Sequence, residues 1–191
     1  MNQILRNSAA GFLLCGVFGC SSPTNTYFTL SSTEAPSPAT ARGSGASPSV
    51  AVVDVEIPAY LDRPQIVVKS DQNRADLHEY DRWVEPLAGM IQDTMRADLA
   101  ARLGRDRVLD RPDAANYLLS ITIDEFGPSE GRVTLRGQWT LSRQKEEHAP
   151  LPHSFSRSIP LNTMEISESV AAMSRLLGSL ADDITTTMAS R

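Results

Sequence analysis

The chain has 191 residues, with 18 Lys and Arg against 23 Asp and Glu, a formal net charge of −5 and two cysteines. That length supports one domain with a substantial hydrophobic core. The acidic balance and the lack of any basic cluster exclude nucleic acid as the expected partner, and also a polybasic membrane-surface helix.

The first residues read as an address rather than as part of a fold. Met1 to Ala10 carries one cation, Arg6, and no acid. AAGFLLCGVFG (9–19) is an apolar run of 11 residues. A bilayer span needs about 20, whereas a secretory hydrophobic region needs roughly 7 to 15. Residues 1–19 therefore read as a cleaved signal peptide. Small Gly19 abuts Cys20, and Val17 lies three positions before it. Leu14, before Cys15, is large. The order Val-x-Gly-Cys resembles the bacterial lipobox, in which the thiol is acylated before the peptide ahead of it is removed. That resemblance implies that Cys20 is the lipidated first residue of the mature chain and that Cys15 leaves with the signal. A Cys15–Cys20 bridge would lie in the hydrophobic run and staple nothing, and a metal site would lack further ligands nearby. The mature chain would keep 172 residues and no free thiol, which suits an oxidising envelope.

Residues 20–26 form a polar tether. YFTL (27–30) alternates as a first strand, and SSTEAPSPATARGSGASP (31–48) has the composition of a flexible loop. SVAVVDVEIP is a strand ended by Pro58, AYLDRP is turn-like, and QIVVKS is a further strand. ADLHEYD (75–81) alternates weakly. From Arg82 the period becomes helical: Val84, Leu87, Ala88, Ile91, Met95 and Leu99 share one face. This predicts a helix of about 20 residues, with Asp81 as its cap, Pro86 in its first turn and Gly104 at its end. NYLLSITIDEF, a GPSEG turn and RVTLRGQWTLS predict an antiparallel hairpin, with Val133, Leu135, Gly137, Trp139 and Leu141 facing in. QKEEHAPLP is a second turn and HSFSRSIPL another strand. A last helix begins near Ser167. One apolar sheet face and two long amphipathic helices predict an α+β, two-layer sandwich with a mainly antiparallel sheet and both helices on one face, in a single domain over 27–191.

No catalytic constellation is present in the sequence: there is no G-x-S-x-G elbow, P-loop or H-E-x-x-H. His148 and His153 flank a Pro-rich turn and read as solvated turn residues rather than metal ligands. Asp124 and Glu125 fall on opposite strand faces, and Asp182 and Asp183 read as a solvated helix face. The expectation is a protein that is not an enzyme, with no metal and no cofactor. One segment resists such readings. Tyr60, Leu61, Asp62, Arg63 and Pro64 lie between two strands, at an expected turn on the sheet rim. Either a salt bridge pins the loop internally, or the loop contacts a partner.

AYLDRPQIVVKS followed by EYDRWVEPLAGMIQDTMRADLAARLG resembles the ABC-type transport auxiliary lipoproteins, the PqiC-like (YmbA-like) family. The lipobox, the Tyr-Phe-Thr-Leu strand, the low-complexity loop and the final helix occur in the family's order. The resemblance covers essentially the whole mature chain. It implies a non-enzymatic lipoprotein on the periplasmic face of the outer membrane, held through its lipid anchor, that works with an MCE-domain protein and an associated permease complex in intermembrane lipid transport. Ser21 after the cysteine is compatible with outer-membrane sorting. Assembly as a homo-oligomer is a further expectation. The alternative is a periplasmic lipid- or solute-binding carrier, which would need a cavity between sheet and helices; Gly137 and Ala88 are the small residues that could face one.

Overall fold

The computed structural model describes residues 24–33, 48–71, 73–143 and 150–190. The expected signal peptide, Cys20, His148 and most of the 31–48 loop lie outside the described residues.

The strands are β1 (Thr26–Phe28), β2 (Val50–Glu56), β3 (Gln65–Asp71), β4 (Arg74–Trp83), β5 (Tyr117–Ser129), β6 (Arg132–Arg143) and β7 (His153–Pro160). The helices are α1 (Leu87–Leu103) and α2 (Ile166–Ala189). The sheet runs β1-β4-β3-β5-β6-β7, and β2 also pairs with β5. The α+β class agrees with the sequence, and the antiparallel expectation holds in part: the longest ladders are antiparallel, but parallel pairs make the sheet mixed. β3/β4, β5/β6 and β6/β7 are antiparallel, whereas β1/β4, β2/β5 and β3/β5 are parallel.

The parallel pairs change the meaning of the loop at 57–64. β2 lies along the first half of β5, with Glu56 opposite Thr122. β3 reaches the far end of β5, with Lys69 opposite Ser129. Both run in the direction of β5. The chain therefore does not turn back at a rim, as the sequence suggested. Between the two pairings it advances 13 residues while β5 advances 7, so six residues are looped out and the chain rejoins the same edge.

The hairpin between β5 and β6 forms as its alternation dictates. Tyr117, Leu119, Ile121 and Ile123 are buried on one face, and so are Val133, Leu135, Trp139 and Leu141. β5 runs on through Gly127 and Pro128, so the turn is only Glu130-Gly131, with φ of 49° and 76°. Two successive positive φ values match the right-handed twist of a two-residue hairpin. Gly137 lines no cavity. A Cβ there would collide with the Thr122 carbonyl and press on the Phe155 ring. β7 starts at His153, and its ring stacks on Trp139 at 4.2 Å between centroids. His153 is thus a strand residue rather than a turn residue.

α1 begins later than its periodicity implied. Pro86 is the residue ahead of its first turn, and no side chain caps it. Proline disfavours helical φ/ψ in the residue before it, so Glu85 stays out of the helix and Arg82 and Trp83 remain in β4. Asp81 is therefore not a helix cap. It pairs with Thr26 across β1/β4, and its carboxylate lies 3.0 Å from His78 Nδ1. Val84 is 55% exposed rather than part of the apolar stripe. Leu87, Ile91, Met95 and Leu99 do form that stripe, and they merge with Met173, Leu177, Leu180 and Ile184 of α2 and the inward sheet face into one core cluster.

At the start of α2 the carboxylate of Glu168 accepts from Thr163 Oγ1 at 2.6 Å, from Thr163 N at 2.8 Å and from Asn162 N at 3.0 Å. These bonds, the Thr163 hydroxyl foremost, hold its pKa down at about 2.

The residues after β1 are not free chain. Leu30 is buried, Ser31 N donates to Ser174 Oγ at 3.2 Å, and Ser32 Oγ donates to Asp98 at 2.7 Å. Thr33 N also donates to Asp98, at 3.3 Å, and the Thr33 side chain occupies the space that a Cβ on Gly178 would need. Residues 30–33 thus form a strap over α1 and α2. Arg102 ties the two helices together: it donates to Asp182 at 2.7 Å and to the Gly178 carbonyl at 2.8 Å, and it lies 3.5 Å from buried Asp98.

Candidate functional site

The loop at 57–64 is held from inside. Leu61 is 5% exposed and belongs to the core cluster, and Tyr60 packs against that cluster. Two small cavities beside Leu61 hold about 10 Å³ each, room for about one water. The backbone is fixed by Leu61 N to the Pro58 carbonyl (2.9 Å), Arg63 N to the Leu61 carbonyl (2.9 Å) and Trp83 N to the Pro64 carbonyl (2.7 Å). The structure thus splits the five expected site residues. Leu61 is a core anchor, Tyr60 is half-buried, and Asp62, Arg63 and Pro64 form an exposed tip. No ion pair joins Asp62 to Arg63 among the described residues, so an internal salt bridge does not explain the pair.

The tip stands beside a groove that the sequence reading missed. The open concavity, about 370 Å³, is lined by Tyr60 and Arg63 of the loop, Val67 and Lys69 of β3, and Arg74 and Leu77 of the β4 side. Asp71 also borders it. The antiparallel register places Val67 opposite Leu77 and Lys69 opposite Ala75, so these residues share one face. That face is turned away from the helices: Lys69 and Arg136 both pair with Glu125, at 3.3 and 3.4 Å, and Arg136 is on the exposed side of β6. Lys69 Nζ also sits 5.3 Å from the centre of the Tyr60 ring. Arg74 pairs with Asp76 at 2.9 Å while its side chain stays 69% exposed. The Asp71 carboxylate accepts from Asn73 N at 2.8 Å. Residues of two strands and two residues of a loop must meet to form this surface. The alternation of ADLHEYD was the sequence signal that could have located it, because it marks β4 as the partner of β3.

Elsewhere no group of three or more His, Cys, Asp or Glu is placed to hold a metal ion among the described residues. Among those residues, no helix is long and apolar enough to cross a membrane.

Two solved structures share this fold. One is a crystal structure of an uncharacterized protein, with a TM-score of 0.72 and 18% identity, covering 87% of this chain and 99% of that one. The other is protein XCC0632 from Xanthomonas campestris, with a TM-score of 0.67 and 16% identity, covering 86% of this chain and 99% of that one. In sequence, the chain is 28% identical over 95 residues to the intermembrane transport lipoprotein PqiC of Escherichia coli K12, and equally to that of Shigella flexneri. The match takes in 49% of this chain and 51% of each relative, so the chain spans about half the length of the curated relatives it matches. The family model for the ABC-type transport auxiliary lipoprotein component matches residues 28–185, which reaches from β1 into the last turns of α2. The chain belongs to the ABC-type transport auxiliary lipoprotein family.

Proposed function

We propose that this protein is a non-enzymatic auxiliary component of an MCE/ABC-type intermembrane lipid transport system. Cys20 carries the acyl anchor, and the domain stands on the periplasmic face of the outer membrane. Several copies assemble on an MCE-domain protein, which joins them to a permease complex. The observation that carries this reading is the loop at 57–64. Its tip exposes Asp62, Arg63 and Pro64 on a base fixed by buried Leu61 and three backbone hydrogen bonds. A pre-ordered tip binds a partner with little further loss of conformational entropy, and Arg and Tyr are enriched among the residues that carry binding energy. The carrier alternative needs an interior space for cargo. Gly137, the residue expected to border one, is packed against Thr122 and Phe155.

Co-purification from detergent-solubilised envelopes tests the reading. Wild-type chain should bring down an MCE-domain protein, and Arg63→Ala should weaken that association by at least about 1 kcal/mol with the melting temperature unchanged. A Cys20→Ala chain should leave the outer-membrane fraction. Retention of the Cys20→Ala chain there after a salt wash would refute the anchor, and an Arg63→Ala chain that recovers its partner in full would refute the docking role of the tip.

A further inference from the structure

The geometry points to a second role for the groove beside that tip: it binds the phosphate-bearing headgroup of a phospholipid in the membrane that holds the anchor. This inference rests on the anchored reading above, and four observations carry it.

The first is charge. The chain is acidic overall, at −5, yet this groove gathers Arg63, Lys69 and Arg74 around a single bordering carboxylate, Asp71. Asp71 is engaged with the backbone N–H of Asn73, and Glu125, next to Lys69, is shared with Arg136. No side-chain hydrogen bond or ion pair is made by Arg63 among the described residues. Arg74 keeps most of its surface exposed despite its pair with Asp76.

The second is the mixed lining. Between the cations lie Tyr60, Val67 and Leu77. Cations around an apolar floor suit an amphiphile with an anionic head better than a small hydrated anion.

The third is the direction from which the chain arrives. β1 is parallel to β4, with Thr26 beside Asp81 and Tyr27 beside Arg82. The chain therefore enters β1 from the side of the β3–β4 turn. Five residues separate Cys20 from Thr26, and the six steps between them reach about 20 Å when extended. The stretch of β4 from Asp81 back to Arg74 measures about 24 Å at the usual rise per residue. A fully extended tether thus carries the anchor toward the turn end of the hairpin, where the groove opens, and stops short of Arg74 itself.

The fourth is exposed aromatic and apolar surface on β4 and on β1 beside it. Tyr27 is 60% exposed, Tyr80 51% and Leu77 41%. Tyrosine has an apolar body and a polar tip, and it is enriched at the headgroup level of membranes. A lipid surface accounts for the cations and the tyrosines together, and an acidic protein partner accounts only for the cations.

The test uses the full chain carrying Cys20→Ala, so that acylation plays no part, and vesicles of phosphatidylethanolamine with a minority of phosphatidylglycerol. The readout is the salt-sensitive part of binding in a flotation assay, which separates groove contacts from apolar insertion by the first residues. Each Arg near an anionic surface contributes several-fold to binding, so Arg63→Gln/Arg74→Gln should lose about tenfold or more with the melting temperature unchanged. If the double variant melts early, the single Arg63→Gln and Arg74→Gln chains are compared instead, and each must lose several-fold. Undiminished salt-sensitive binding by the variants overturns the proposal. So does tighter binding of a poly-glutamate peptide than of vesicles, which would give the groove to a protein partner. Saturable binding of inorganic phosphate with no vesicle binding also overturns it, in favour of a free anion. Acylation is read separately, from the mass of the native chain. An unacylated Cys20 with a vesicle-binding groove defeats the anchor alone, and an acylated Cys20 with a groove indifferent to charge removal defeats this proposal alone.

Discussion

The two faces of the sheet are made from strands of the same kind, yet they meet opposite demands. The face under α1 and α2 is filled. Leu135, Leu141, Ile121 and Leu119 interlock with Leu177 and Met173, and even the strap at 30–33 is bonded down through Ser31, Ser32 and buried Asp98. The opposite face, at the β3–β4 end, is left open. There the side chains of Lys69, Arg74 and Leu77 stand around a groove, and the loop tip projects beside it. Burial explains the difference. An apolar strand face gains about 25 cal/mol for each Å² removed from water, and the helices supply the cover. Among the described residues no helix lies over the hairpin end on the groove side, so its stability depends on β5 and on Leu61 reaching in from the loop. Residues on the filled face should therefore act on folding, and residues on the open face on binding.

The largest effect should come from the filled face. Trp139 is 3% exposed and stacks on His153. Trp139→Ala should cost roughly 3 to 5 kcal/mol, a large part of the 5 to 15 kcal/mol available to a domain, as read by chemical denaturation. A cost under about 1 kcal/mol would mean that the helix-covered face is not the stabilising one.

The loop brings both behaviours within three residues. Leu61→Ala should lower stability by about 2 to 4 kcal/mol, because it empties a site inside the core. Arg63→Ala should change it by less than about 0.5 kcal/mol. Equal losses for the two, measured side by side by denaturant melts, would mean that the tip is as structural as its base. The sequence alone grouped Leu61 with Arg63 as a partner contact; the fold separates them.

The smallest effect lies at the start of α2 and depends on pH. The Glu168 carboxyl is held at about 2, below its ordinary 4.5, first by the Thr163 hydroxyl and then by backbone N–H groups. Its folded-state pKa is depressed, so its contribution is fully present above the ordinary value and fades as the pH falls through the folded value. Glu168→Gln should therefore melt below wild type at neutral pH, and the gap should close as the pH approaches about 2. A gap that stays constant over that range would assign the effect to helix propensity rather than to the carboxylate.

The sequence by itself determined the elements with strong periodicity and the chemistry that follows from composition. Strict alternation in RVTLRGQWTLS can be satisfied only by a strand with one buried face, and Trp139 and Leu135 are buried as that pattern requires. The apolar stripe of α2 is equally local, because residues three and four apart meet without help from the rest of the chain. The order of unusual residues around Leu61–Ile66 and Tyr80–Leu87 also carried the family. The start of α1 was local too, fixed by Pro86 acting on Glu85 against a periodic pattern that began at Arg82, five residues before Leu87. Tertiary structure alone decided the rest. Whether the chain turns or continues at Asp62-Arg63-Pro64 depended on β2 and β3 sharing one edge of β5, a pairing that no local residue specifies. Residues 31–33 of the strap looked like the opening of a flexible loop, because their partners, Asp98, Ser174 and Gly178, are far along the chain. The groove is the same case: its cations are ordinary surface residues in sequence, and only the register of β3 against β4 and the bulged loop beside them sets them around one cavity.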